Sequence, residues 1–112
     1  MKIIIRGENI DLTPSIKVFV EEKVGSVEKF VNPGDSGLAE ARVEIGRPSK
    51  HHQTGAVYYA EINLKIGSQL FRGIAEHEDL RTAIDFARNE VEEQLKKKQR
   101  KTRDSHRVPK RV

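Results

Sequence analysis

The side chains best suited to chemistry in this 112-residue sequence are its four histidines and its carboxylates. His51 and His52 are neighbours, not i and i+4, so they make poor joint ligands on one face of a regular element. The run Glu76-His77-Glu78-Asp79 could hold a hard cation or poise a base. Its simpler reading is a strand exit and a helix cap. Asp79 and Asp85 are six apart on a helix and do not share a face as paired carboxylates would. Glu40 and Glu44 project from a strand toward solvent, where hydration accounts for them. The glycine-rich phosphate loops, the zinc-binding helix motif and the nucleophile elbow are all missing from the sequence. With no cysteine, disulfides and thiolate-bound metals are excluded as well. The sequence is therefore read as non-enzymatic, with no cofactor and no small-molecule substrate.

The basic residues are harder to dismiss. Residues 95–112 hold nine of them (Lys96, Lys97, Lys98, Arg100, Lys101, Arg103, Arg107, Lys110 and Arg111) against one acid, Asp104. The other residues hold 12 bases and 16 acids, so a modest net charge of +4 conceals a concentrated positive end. Cations at a helix C-terminus complement its dipole, but that benefit fades beyond the last turn. Arg103, Arg107, Lys110 and Arg111 call for another partner, and a polyanion is the simplest. Neutralising phosphates releases condensed counterions, which gives affinity without sequence specificity.

Arg81 and Arg88 lie seven apart on one helical face, read here as roughly opposed to the apolar stripe, and they extend the basic track toward Lys96. Arg47, Lys50, His51 and His52 form a second candidate contact from a loop. Tyr59, on the wet phase of its strand, is a candidate for stacking on a base. There is no aromatic pair of the kind that reads single-stranded RNA from a sheet, so shape-based binding to structured RNA is the better fit.

These groups must be positioned by a small framework. Ile3-Ile4-Ile5 reads as a strand. Thr13-Pro14 reads as an N-cap with proline at the first helical position. Ile16, Phe19, Val20, Val24, Val27 and Val31 recur at three and four residues and predict a helix to about Phe30. Ala41, Val43 and Ile45 alternate with charged residues, as do Tyr58, Ala60, Ile62, Leu64 and Ile66 with polar ones, giving two strands with one dry face. Gly67-Ser68 predicts a tight hairpin, and Gln69 to Ala75 the returning strand, with its facing open. Asp79 is placed as the cap of a last helix bearing the stripe Leu80, Ala83, Ile84, Ala87, Val91 and Leu95. That helix is expected to continue through Lys101 with support from Glu92–Lys96 and Glu93–Lys97 pairs.

The order β-α-β-β-β-α predicts a two-layer α/β sandwich, a four-stranded mixed sheet with both helices on one face. The low apolar fraction of 36% suits one modest core. Residues 1–101 are read as one domain and 102–112 as a flexible basic tail. The opening is too short in apolar residues for a signal peptide, and no apolar run approaches a membrane span, so a cytoplasmic chain is expected.

Two stretches carry a family resemblance. Ile3-Ile4-Ile5-Arg6-Gly7 with Ile10-Asp11-Leu12-Thr13-Pro14-Ser15-Ile16 is one. His77-Glu78-Asp79-Leu80-Arg81-Thr82-Ala83-Ile84-Asp85, followed by Glu93-Gln94-Leu95-Lys96-Lys97, is the other. Together they resemble the short ribosome hibernation-promoting factors, the ribosome-associated inhibitor or sigma-54 modulation family, over roughly residues 2–101. The resemblance implies a domain similar to a double-stranded-RNA-binding domain, lodged on small-subunit ribosomal RNA at the decoding channel. There it would exclude messenger and transfer RNA during dormancy. It gives Arg81, Arg88, Lys96 and Lys97 a role in contacting that RNA; Lys98, Arg100 and Lys101 enter on charge alone. Long members add a carboxyl-terminal dimerisation domain that this sequence lacks, so the expectation is a free monomer that does not itself pair ribosomes through such a domain. A general structured-RNA binder and a protein-interaction modulator of the transcription machinery are the alternatives.

Overall fold

The computed structural model describes residues 1–48 and 57–106, with side chains as far as Lys101. The elements are β1 (Lys2–Glu8), α1 (Pro14–Gly25), β2 (Ala39–Gly46), β3 (Tyr58–Ile66), β4 (Gln69–His77) and α2 (Leu80–His106). Two 3-10 segments, Ser26–Phe30 and Pro33–Leu38, join α1 to β2. The sheet order is β1-β2-β3-β4, with β1 parallel to β2 and the remaining neighbours antiparallel. This is the element order and four-stranded mixed sheet expected from the sequence, with β1 and β2 as the parallel neighbours.

One face of the sheet is dry. Ala41, Val43 and Ile45 of β2 and Ala60, Ile62 and Leu64 of β3 pack with Val20, Val24 and Val27 near α1 and with Ala83, Ile84, Ala87, Val91 and Leu95 of α2. The Thr13 side chain accepts the Ile16 N–H at 3.2 Å and so starts α1, with Pro14 at its first turn. The α-helix ends at Gly25, not near Phe30; the chain then tightens into a 3-10 turn that still delivers Val27 to the core. Glycine and the valines are weak helix formers, which is why packing decides the geometry here.

The facing of β4 is settled by a helix approach. Phe71 and Gly73 point inward, whereas Leu70, Arg72 and Ile74 are exposed. A Cβ on Gly73 would sit 2.1 Å from the Ala87 carbonyl oxygen, so only glycine lets α2 lie this close. At the hairpin, Gly67 takes φ +62°, the left-handed conformation such a turn favours.

The outer edge of β4 is not left bare. The Arg72 N–H donates to Gln94 Oε1 at 3.0 Å, the Ile74 N–H donates to Glu90 Oε1 at 2.8 Å, and Gln94 Nε2 donates to the Arg72 carbonyl at 2.7 Å. Two α2 side chains thus satisfy strand groups that would otherwise invite another strand.

Candidate nucleic-acid interface

The sheet's open face carries Lys2, Arg6, Arg42, Lys65 and Arg72 interleaved with Glu8, Glu40, Glu44, Glu61 and Glu76. Pairs such as Arg42–Glu40 and Arg72–Glu61, both at 2.9 Å, close within it. Such a balanced face offers no net attraction to a polyanion, which directs attention to the helices.

Tyr59 lies on this open face. Its hydroxyl donates within reach of Glu44 Oε2 at 2.7 Å and Glu8 Oε1 at 3.2 Å. Partial burial, then the bonds to Glu44 and Glu8, push the phenol well above its usual pKa. The bond from Tyr59, followed by contact with Glu8, holds Glu44 below the usual carboxylate range. Glu44 is therefore more than a solvated strand charge. Its acidic setting separates Tyr59 from the basic track.

Arg81 and Arg88 are not opposed to the apolar stripe; they flank it, at the seam between α1 and α2. Arg88 follows Ile84 by four residues and precedes Val91 by three, so helical geometry places it beside the core. Arg81 Nη2 donates to Ser15 Oγ at 2.9 Å, and its guanidinium lies 5.1 Å from the Phe19 ring centroid. Arg88 Nε donates to Ser26 Oγ at 3.0 Å, and Arg88 also pairs with Glu92, leaving its side chain only 13% exposed. The hydrogen bond from Lys96, and secondarily from Arg88, holds the Glu92 carboxyl below its ordinary range against the effect of burial.

The same seam gathers cations that the sequence reading passed over. Lys23 Nζ sits 5.6 Å from the Phe19 centroid and 3.4 Å from Asp85. At the other end, Lys29 and Lys96 lie 5.4 and 5.3 Å from the centroid of Phe30. Each phenylalanine is thus flanked by two cations, one from each side of the seam. Lys23 and Lys29 drew no notice in the sequence because the cations that complete each cluster, Arg81 and Lys96, come from α2. Phe86 was also missed. It is 50% exposed on α2, edge-on to His77 at 5.8 Å. Its place off the three-and-four stripe was the available signal.

Beyond Leu95 the helix leaves the core. Lys96 is paired with Glu92 at 2.7 Å, Lys98 donates to Gln69, and Gln99 Nε2 donates to the Phe30 carbonyl at 2.7 Å. Lys97, Arg100 and Lys101 are exposed, and among the described residues none of the three forms an ion pair. The backbone stays helical to His106, so Arg103 belongs to this projection. The molecule spans 61 Å along its longest axis against 27 and 20 Å across.

Arg47 caps a different corner. Its Nη2 donates to Tyr58 Oη at 3.0 Å and its guanidinium covers the Tyr58 ring at 4.9 Å. Lys50, His51 and His52 lie outside the described residues, as do Arg107, Lys110 and Arg111. The Glu76-His77-Glu78-Asp79 run serves the fold. Asp79 Oδ2 accepts the Thr82 hydroxyl at 2.6 Å and the Thr82 N–H at 3.0 Å, bonds that hold its carboxyl below the usual range, while His77 Nδ1 accepts the Asp79 N–H. Among the described residues no helix is long and apolar enough to cross a membrane.

A mixed sheet covered on one side by two helices, with cations along their seam and on a projecting helical end, defines a two-layer α/β domain with a basic helical surface. The chain belongs to the Sigma 54 modulation protein / S30EA ribosomal protein family, whose model matches residues 3–103. It is 31% identical over 93 residues to the ribosome hibernation promotion factor of Bacillus subtilis, covering 83% of this chain and 46% of that protein. The protein of the same name from Lactococcus lactis is 28% identical over 97 residues, covering 87% and 49%. The chain thus spans about half the length of these curated relatives. The crystal structure of the Thermus thermophilus Protein Y N-terminal domain superposes with a TM-score of 0.71 at 28% identity, covering 87% of this chain and 98% of that one. A ribosomal subunit interface protein from Coxiella burnetii, 18% identical with a TM-score of 0.69 over 89% of this chain and 99% of its own, supports the fold alone.

Proposed function

We propose that this chain is a ribosome hibernation factor that binds small-subunit ribosomal RNA at the decoding channel and excludes messenger and transfer RNA by occupancy. No bond is made or broken. The observation that carries this reading is the projecting end of α2, where Lys97, Arg100 and Lys101 face solvent with no described ion-pair partner. Family membership and the names of the relatives supply the ribosome as the source of polyanion. Lys96 and Lys98 stand at the base of the projection, Arg103 continues it, and Arg107, Lys110 and Arg111 extend the same charge in sequence. Arg81 and Arg88 border this surface at the seam, where they remain tied to Ser15, Phe19, Ser26 and Glu92 and lend it their charge, with Lys23 and Lys29 nearby. The partner is the small subunit, the free chain is a monomer, and the cytoplasm is where the two meet.

Phosphate contacts of this kind make binding fall steeply with salt, each one adding roughly 0.7–0.9 to the slope of log K against log salt. Co-sedimentation with isolated small subunits across a salt series tests the proposal. Stoichiometric binding at low salt that weakens linearly on the logarithmic plot is expected, along with release of messenger RNA. No binding at low salt by a folded sample would end the ribosome assignment. Equal affinity for arbitrary duplex RNA would reduce it to a general structured-RNA binder.

A further inference from the structure

A cavity of about 400 Å³ opens at the end of the domain where α2 leaves the sheet, between the 3-10 segments and the β3–β4 hairpin. Its volume falls in the range of small-ligand sites. Phe30, Phe71 and Leu95 give it apolar walls, while Asp35, Gln69 and Lys98 contribute polar groups. A bare phosphate or metal ion would gain nothing from two phenylalanines and a leucine. A planar, partly apolar ring with hydrogen-bonding edges would use both kinds of lining. The charge around it is also suited to a nucleotide: Lys98 lies in the lining, and Lys29 and Lys96 sit against the Phe30 ring.

We propose that this cavity takes one unpaired nucleobase bearing an exocyclic amine, presented by the RNA that the α2 projection holds. The inference rests on the RNA-binding reading above. The Asp35 carboxylate accepts from the amine, the phenylalanine walls cover the ring, and Lys98, held at the mouth by its bond to Gln69, stands by the adjoining phosphate. A fully paired duplex keeps its bases stacked and has nothing to insert. The cavity therefore adds selectivity for RNA with a bulged or splayed nucleotide to an electrostatic grip that has none.

The test measures affinity for an RNA hairpin with one bulged guanosine, the same hairpin with a bulged uridine, and the fully paired hairpin. The full chain is expected to bind the guanosine bulge about tenfold more tightly than the paired hairpin, as suits one captured base. Gln69→Trp, at an exposed hairpin position, should fill the mouth and abolish the preference while leaving the paired hairpin's affinity unchanged. Asp35→Ala, which removes the acceptor, should equalise guanosine and uridine bulges. Equal binding of all three hairpins by the unaltered chain overturns the cavity assignment and leaves RNA binding intact. Failure to bind any hairpin or the small subunit overturns both. Guanosine 5′-monophosphate binding as tightly as the bulged hairpin would assign the cavity to a soluble nucleotide and overturn the RNA source.

Discussion

The cations of α2 before Leu95 and those after it have the same chemistry and different employment. Arg81 and Arg88 lie beside the apolar stripe and are tied to Ser15, Phe19, Ser26 and Glu92, so they hold α2 against α1. Lys97, Arg100 and Lys101 come after the last core contact of the stripe and are exposed. Lys96 and Lys98 mark the transition, the first held by Glu92 and the Phe30 ring and the second by Gln69. A basic residue's use thus depends on whether the helix beneath it is still packed. Beside a core, a guanidinium acts as a tether; past it, the same charge is available to an outside anion.

The largest effect should come from stripping the projection. Replacing Lys96, Lys97, Lys98, Arg100 and Lys101 together by Gln should weaken small-subunit binding by about a hundredfold or more and reduce the salt slope by roughly 3–4. Thermal stability should fall only by the modest share that Lys96 and Lys98 contribute through Glu92, Phe30 and Gln69. An unchanged slope in a co-sedimentation series would break the division between the two regions.

Arg88→Gln should do the reverse. It removes bonds to Ser26 and Glu92 from a mostly buried guanidinium and should cost roughly 1–3 kcal/mol of stability in denaturant unfolding. Its effect on the salt slope should be at most that of one phosphate contact. A large slope change with unaltered stability would move Arg88 to the binding side of the comparison.

Smaller still is the protection of the β4 edge. Glu90→Ala combined with Gln94→Ala should cost about 1 kcal/mol or slightly more and promote self-association at high concentration, visible in sedimentation velocity. A strictly monomeric double variant would show that the edge needs no cover.

The finest probe is pH. The pKa of Glu92 is depressed in the folded chain, first by Lys96 and then by Arg88, so its contribution is full above the unfolded carboxylate value of about 4.3. That contribution is lost as pH falls through the lower folded value. Thermal midpoints followed downward from pH 6 should fall less steeply in Glu92→Gln than in the parent. Identical acid profiles would remove Glu92 as the link between the two regions.

Much of this division could be read from the sequence, because both helix and strand periods were clean. The end of the apolar stripe at Leu95 marked where packing stops. Asp79 as a cap and Gly67-Ser68 as a turn followed from local chemistry. The facing of β4 did not, since the decisive contact is between Gly73 and the Ala87 carbonyl, 14 positions away and on another element. The same holds for the contacts of Arg81 with Phe19 and of Lys96 with Phe30, which exist only once α2 packs beside α1 and the 3-10 segment that follows it. The misplacement of Arg81 and Arg88 had a different cause. Their spacing from Ile84 and Val91 already put them beside the stripe, and relative position along the helix was enough to show it.

The decisive observable is where the projecting end of α2 goes when the chain is bound. A reconstructed map of the chain on the small subunit should show Lys97, Arg100 and Lys101 against ribosomal RNA phosphates, with Arg81 and Arg88 still tied across the α1–α2 seam. A bound chain whose projection points into solvent, with the balanced sheet face against RNA instead, would contradict it.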